Sequence, residues 1–254
     1  FPYTTLFRSH SCMSSGKSID SNIKAEVFAS LYDRVCKRKG SEAMVKELLS
    51  QPASKQEILA ITDDRFLSEF TKKVFQSGFV WRVVRQKWPN FEEQFFGFDI
   101  DKVLLMPDEM LEQKAANPAI IRNFNKVKTI RENALMIDDI RRKHGSFAKF
   151  VCEWPQEDLV GLWDFLKKTG ARLGGNTGPY TLRALGIDTF LLSRDVEAYF
   201  VEHGLITGSA RSKRSLKTIQ DTFFGWQKES GLSLQELSQI VSFSCGDNYV
   251  GMIQ

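Results

Sequence analysis

Residues 161–200, GLWDFLKKTGARLGGNTGPYTLRALGIDTFLLSRDVEAYF, contain the pattern that decides the fold. Apolar residues recur at helical spacing before Gly170, which predicts a helix that ends there. A glycine-rich turn follows at 174–178, and a second helix is predicted from Pro179. Two helices joined by such a turn are typical of a helix-hairpin-helix motif, which we place at about residues 162–190.

The turn between these helices is suited to binding a phosphate. Glycine lets a backbone approach a ligand closely, and the amides at the start of a helix point their N–H groups outward. Such contacts bind duplex DNA without reading its sequence. The candidate DNA-binding residues are Lys168, Arg172, Gly174, Gly175, Asn176, Thr177 and Gly178. The alternative is a turn that uses glycine for steric reasons only, as other helix–helix corners do.

The rest of the chain also has helical periodicity, and no alternating pattern of useful length predicts a strand. A long basic helix is predicted over about 123–143, with Gly145 ending it. A second long pattern runs over 64–87 and is interrupted at Gly78. We interpret Trp88-Pro89-Asn90 as a turn. The sequence therefore predicts an all-α protein.

The composition and charge of the chain limit the classes of function to be considered. Lys and Arg exceed Asp and Glu by 35 to 31, a net charge of +4, and the basic residues form short clusters that suit phosphate contacts or, alternatively, solvated helix faces. No apolar run approaches the roughly 20 residues of a membrane span. The four cysteines and three histidines show no metal-ligand spacing, so we expect no metal, no cofactor and reduced thiols in the cytoplasm.

The chain is expected to form one domain. Residues 1–20 match no packing pattern and are interpreted as a foreign or disordered leader. Residues 21–254 are assigned to a single domain, because nothing in them marks a linker.

Three segments carry a resemblance to a known family: KVFQSGFVW at 73–81, AANPAIIRNFNKVKTIRENA at 115–134, and FLKKTGARLGGNTG at 165–178. In order and spacing they resemble the DNA-3-methyladenine glycosylase I family, over roughly residues 65–205. The resemblance implies a two-lobed helix-hairpin-helix glycosylase fold with N- and C-terminal helical extensions. It also implies a monomer that flips a damaged base out of duplex DNA and hydrolyses the N-glycosidic bond of alkylated purines, chiefly 3-methyladenine.

The chain departs from the family pattern at several positions. Lys73 stands where better-known members carry a Glu. Asp195 and Tyr199 stand where some members have zinc-binding His and Cys, so no zinc site of that kind is expected. The Tyr-His pair near the family's N-terminus has no match here, which leaves the base contacts open.

The resemblance places Trp81 in a base pocket, with Phe75 and Phe79 beside it. A purine alkylated at nitrogen 3 is positively charged, and an indole face would attract it by cation–π interaction. The alternative is that these aromatic residues belong to the core of a helical protein.

Two residues are candidates for the chemistry. Asp195 lies about 20 residues beyond the hairpin, where related helix-hairpin-helix glycosylases place an Asp next to the anomeric carbon. This resemblance implies a carboxylate that stabilises an oxocarbenium-like sugar; the alternative is a cap for the helix through Val196 and Tyr199. Lys73 could form a Schiff base with the sugar, or instead pair with Glu69 on a helix face. The rival functions are a strand-cleaving glycosylase acting through Lys73, a non-catalytic module that binds damaged DNA, and a helical protein–protein adaptor.

Overall fold

The computed structural model describes residues 24–246, and the leader assigned to residues 1–20 lies outside them. Helices and turns account for this whole range, which contains no strand, so the all-α prediction is confirmed. None of the helices within it is long and apolar enough to cross a membrane. The helices are α1 Phe28–Lys39, α2 Glu42–Leu48, α3 Lys55–Leu59, α4 Asp63–Gln76, α5 Trp81–Gln94, α6 Ile100–Leu104, α7 Asp108–Ala116, α8 Phe124–His144, α9 Phe147–Glu153, α10 Leu159–Thr169, α11 Thr177–Ala184, α12 Arg194–Glu202, α13 Lys213–Ser230 and α14 Leu234–Phe243.

The helices α4 to α9 form a central lobe around α8. Helices α4, α6, α7 and α9 each pack against α8, whose Val127, Ile130 and Ile137 are fully buried. Phe66 and Phe147 extend this core where α4 meets α9, with ring centroids 4.8 Å apart. Burial of these large apolar side chains contributes the main free energy that holds the lobe together.

The helices α1, α12, α13 and α14 form a terminal lobe from the two ends of the described chain. Helix α1 packs against α13 and α14, and α14 packs against α12 and α13. Glu26, just before α1, is hydrogen-bonded to two of these helices. Its backbone oxygen accepts from Trp226 Nε1 of α13 at 2.9 Å. Its Oε1 accepts from the Tyr199 hydroxyl of α12 at 2.6 Å. The start of the chain is thereby attached to helices nearly 200 residues later.

The predicted hairpin, α10 and α11, connects the two lobes. Helix α11 packs against α4 of the central lobe, whereas α10 packs against α13 of the terminal lobe. The turn between them is therefore held at the boundary of the two lobes. This arrangement brings the hairpin next to the α4–α5 connection, where Trp81 begins α5.

Most helix limits follow the predicted signals. Gly145 ends α8 as predicted, with a φ of 93°, and Ser54 and Glu57, three residues apart in sequence, form a capping box at the start of α3. The interruption predicted at Gly78 is a full break, because α4 ends at Gln76 and α5 begins at Trp81. The second hairpin helix begins at Thr177, two residues before the predicted start.

The predicted turn at Trp88-Pro89-Asn90 was wrong, because Pro89 lies inside α5. A proline ring removes one helical hydrogen bond, which normally ends or kinks a helix. Here the ring is exposed, while Trp88 stacks on Phe91 at 4.7 Å and on Phe98 at 5.5 Å in the central lobe. The burial of these aromatic side chains offsets the missing hydrogen bond and keeps the helix continuous.

Candidate functional site

The hairpin turn leaves a row of backbone donors open. Among the described residues, the amides of Gly174, Gly175 and Asn176 donate to no protein acceptor. Gly175 adopts a left-handed φ of 59°, which favours glycine. Gly178 is required for close packing, because a Cβ there would lie 2.7 Å from the Leu173 carbonyl oxygen. The turn can therefore present three N–H groups to an anion.

The segment that enters the turn is fixed by a buried asparagine on α8. Asn133 is fully buried, its Nδ2 donates to the Ala171 carbonyl at 3.1 Å, and its Oδ1 accepts from the Ala171 amide at 2.7 Å. A side-chain amide that bonds to both the N–H and the C=O of one residue holds that residue's backbone in position. Asn133 thus links the orientation of the hairpin to the central lobe.

The end of α4 is held by another α8 side chain. The Lys126 ammonium donates to the carbonyl oxygens of Phe75 at 3.2 Å and Ser77 at 2.8 Å. Burial, with a smaller contribution from nearby Arg172, lowers the pKa of Lys126. A cation at the C-terminus of a helix is favoured by the unpaired carbonyls there. Lys126 therefore fixes the loop that leads from α4 to Trp81.

Trp81 is half exposed and lies beside the hairpin. Its relative exposure is 51%, and its ring centroid is 6.2 Å from that of Tyr180 on α11, with the ring planes at 80°. Phe79 is also exposed, at 43%, whereas Phe75 has no accessible surface and packs on Phe91. In this structure Trp81 and Phe79 can line a pocket, and Phe75 can only support it from behind.

Lys73 reaches the same place from the last turn of α4. Its Nζ lies 5.9 Å from the Trp81 ring centroid and donates to Gln76 Oε1 at 3.2 Å. Burial is the main cause that lowers the pKa of Lys73; Lys72 and Arg85 lower it further, while Glu69 raises it. The predicted pairing with Glu69 also forms, at 4.0 Å, but on a mostly buried face of the helix.

The loop before α13 supplies a cation to the hairpin. Arg211 donates to Asn176 Oδ1 and interacts electrostatically with Tyr180 and with Glu197 of α12. Burial lowers the pKa of Arg211. We call the group formed by Lys73, Trp81, Tyr180, Asn176 and Arg211 the interlobe cluster, because its members come from both lobes and from the hairpin.

Asp195 lies on a different side of α12. The N-cap of this helix is Ser193, whose side chain accepts from the Val196 amide, so the capping role considered for Asp195 belongs to Ser193. The Asp195 carboxylate faces the end of the described chain: a Cβ on Gly246 would lie 3.0 Å from its Oδ1. Tyr199, at the other position matching a zinc ligand, donates to Glu26.

Sequence reasoning did not identify the structural parts played by Asn133, Lys126 and Arg211. Each acts on a backbone or side chain at least 35 positions away in sequence. The only local signal was the position of Lys126 and Asn133 inside the segment 115–134, which was among those that carried the resemblance.

The methyladenine glycosylase family model matches residues 59–173, from the end of α3 to the residue before the hairpin glycines. Over these residues the chain is similar to the methyladenine glycosylase family. The predicted resemblance to this family of enzymes is thereby confirmed. The match begins six residues before the expected range of 65–205 and ends 32 residues before the end of that range. The methyladenine glycosylase segment therefore contains Lys73, Trp81, Lys126 and Asn133. It excludes Tyr180 and Arg211.

Solved structures extend the comparison to the fold. Two structures of the 8-oxoguanine glycosylase of Methanocaldococcus jannaschii, one in complex with DNA containing 8-oxoguanine, have TM-scores of 0.51; the complex is 17% identical and covers 84% of this chain and 96% of its own. This likeness confirms the helical DNA glycosylase fold. A 3-methyladenine DNA glycosylase I is 27% identical, with a TM-score of 0.43, and covers 50% of this chain and 80% of its own. No curated protein sequence matches the chain.

Proposed function

We propose that this protein is a DNA repair glycosylase that releases alkylated purines from duplex DNA. The observation that carries the proposal is the position of the half-exposed Trp81, within the methyladenine glycosylase segment and next to the open amides of the hairpin turn. A glycosylase needs a phosphate-binding element and an aromatic surface within one nucleotide's reach, and the interlobe cluster provides both.

The hairpin turn and Trp81 have separate roles in this proposal. The amides of Gly174, Gly175 and Asn176 bind a backbone phosphate, with Lys168 and Arg172 adding positive charge. Trp81 stacks on the flipped base, which is worth roughly 1–3 kcal/mol per base and offsets part of the cost of unstacking. Water then adds to the anomeric carbon as the bond to the base breaks. A base with a fixed positive charge takes the bonding electron pair and leaves as the neutral purine, and the proton lost by the water passes to the solvent.

The lesion predicted from the resemblance is 3-methyladenine. Its positive charge would be attracted to an indole face, and the same charge makes the base a good leaving group. In the structure, however, the Lys73 ammonium lies only 5.9 Å from the Trp81 ring. The range of alkylated purines therefore depends on Lys73 as well as on Trp81.

The test is base release from methylated duplex DNA, measured by chromatography of the freed bases. We expect the parent protein to release alkylated purines and Trp81→Ala to lose most of this activity while still binding DNA. Phe96→Ala is the matched control, because it removes another half-exposed aromatic residue at the far end of α5. A folded parent protein that binds duplex DNA but releases no base would support the non-catalytic module instead.

The lowered pKa of Lys73 favours a second candidate, a glycosylase that also cleaves the strand. The neutral amine would bond to the anomeric carbon as the base leaves, and ring opening with loss of a proton gives a Schiff base. Loss of a proton from C2′ then expels the 3′ phosphate. Borohydride added to a reaction with abasic duplex DNA should trap a covalent adduct with the parent protein and with Lys72→Met, but not with Lys73→Met.

A further inference from the structure

Lys73 occupies a position that bears directly on what the interlobe cluster can bind. Its side chain is only 15% exposed, although it carries an amine, and Gln76 Oε1 accepts from that amine at 3.2 Å. A lysine held in this way has lost much of its hydration and most of its freedom to swing away. A base that stacks on the face of Trp81 over which the Lys73 amine lies therefore meets that amine.

The charges around Lys73 do not cancel. Glu69 is the acidic side chain nearest to it, with Oε2 at 4.0 Å from Lys73 Nζ, but the same carboxylate also accepts from Lys72 Nζ at 3.2 Å. Arg85 adds a third cation whose field acts on Lys73. Two lysines thus share one carboxylate and a third cation acts on the same place, which leaves the surroundings of the amine positive.

Positive surroundings have opposite effects on two kinds of damaged purine. A purine alkylated on a ring nitrogen carries a fixed positive charge, which three nearby cations repel. An uncharged purine with a carbonyl oxygen or a free ring nitrogen can instead accept a hydrogen bond from the lysine, which donates in either protonation state. Lysine also competes with a cationic base for the Trp81 face.

We propose that Lys73 makes the pocket selective for an uncharged purine lesion that presents a hydrogen-bond acceptor, and against a purine with a fixed positive charge. This inference rests on the proposed glycosylase function and names its substrate class. Within that class are purines with a carbonyl oxygen at carbon 6, such as hypoxanthine, and purines alkylated on an exocyclic atom. Gln76 keeps the Lys73 amine oriented, so it acts as a positioning residue.

The experiment compares two lesions that share the carbonyl at carbon 6 and differ in charge: a single hypoxanthine and a single 7-methylguanine in the same duplex. Single-turnover release of each base is measured and divided by its uncatalysed rate. The variants are Lys73→Glu, which reverses the charge, and Lys73→Met, which keeps the length without the donor. Lys102→Glu, at an exposed site on α6, is the control for net charge.

We expect the parent protein to accelerate hypoxanthine release more than 7-methylguanine release. Lys73→Glu should shift this ratio toward 7-methylguanine by about tenfold or more, which corresponds to about 1.4 kcal/mol. Lys73→Met should shift it in the same direction by less, and Lys102→Glu should leave it unchanged.

Two results would overturn the inference while leaving the proposed function intact. The first is a parent protein that accelerates release of the cationic base more, and the second is a ratio that neither Lys73 variant changes. Release of neither base by a folded parent protein that binds the duplex would overturn the inference, and only if methylated duplex DNA also yielded no free base would it count against the glycosylase function itself. The two failures are therefore distinguishable.

Discussion

Two carboxylates on α12 point to opposite sides of the helix, because residues two positions apart are about 200° apart around a helix axis. Asp195 faces Gly246 and contributes to raising the pKa of the Cys245 thiol, for which burial is the main cause. Glu197 interacts with Arg211, which holds Asn176 of the hairpin turn. The carboxylate linked to the interlobe cluster is thus Glu197, a residue that the sequence did not single out.

At this scale we predict that Glu197→Gln slows base release on the order of 100-fold, because an oxocarbenium-like sugar loses its nearby negative charge. Asp195→Asn should change the rate little and act on stability instead. Single-turnover rates with methylated duplex DNA, with unfolding curves for both variants, would measure this. Loss of activity in Asp195→Asn alone would restore Asp195 as the catalytic candidate.

At the scale of elements, two glycines in helices differ in whether the surrounding structure leaves space for a Cβ. Gly178 lies in the first turn of α11 with the Leu173 carbonyl oxygen in the space that a Cβ would take. Gly225 lies in α13 with nothing within 4 Å of that space. The first glycine permits the hairpin to close, whereas the second only weakens its helix.

We therefore expect Gly178→Ala to lower the free energy of unfolding by about 1–3 kcal/mol and to weaken DNA binding. Gly225→Ala should raise the free energy of unfolding by about 0.5–1 kcal/mol, because alanine is the better helix former. Urea unfolding gives both values, and a filter or anisotropy assay with undamaged duplex gives the affinities. Equal effects of the two substitutions would contradict this account of the turn.

How far the sequence predicts these elements depends on how local the deciding interactions are. Ser54, Gly145 and Gly78 act within a few residues of themselves, so the limits that they set were predictable. Pro89 was misread because its helix depends on the distant stacking of Trp88 on Phe98. The interlobe cluster was only partly predictable: Trp81 and the hairpin glycines carried the family resemblance, while Arg211 enters from a loop 35 residues beyond Asn176.

At the scale of the whole molecule, Glu26 couples the start of the described chain to its later helices. Its hydrogen bond from Arg34 is the main cause that holds the Glu26 pKa below the ordinary value of 4.5, with burial opposing and Tyr199 assisting. A carboxyl whose pKa is lowered by folding stabilises the protein above its unfolded pKa, and this stabilisation is lost as the pH falls through the folded value.

The free energy of unfolding of Glu26→Gln should accordingly fall below that of the parent protein at neutral pH, and the difference should shrink as the pH drops below about 4.5. Urea unfolding between about pH 3 and pH 7 measures it. Glu112→Gln, at an exposed position on α7, is the control and should show a small difference at every pH. A difference for Glu26→Gln that stays constant across this range would contradict the assigned role.

The attachment of α1 to α13 and α14 also has a consequence for the order in which the protein forms on the ribosome. The central lobe is complete once residues up to about 153 have emerged, whereas the Phe28 amide waits for its acceptor, Glu229, 201 residues later. At roughly 5–20 residues per second, α1 spends roughly 10–40 s of synthesis without α13 and α14, although its packing against α2 can form at once. The part of its apolar face that α13 and α14 cover is exposed to chaperones for that time.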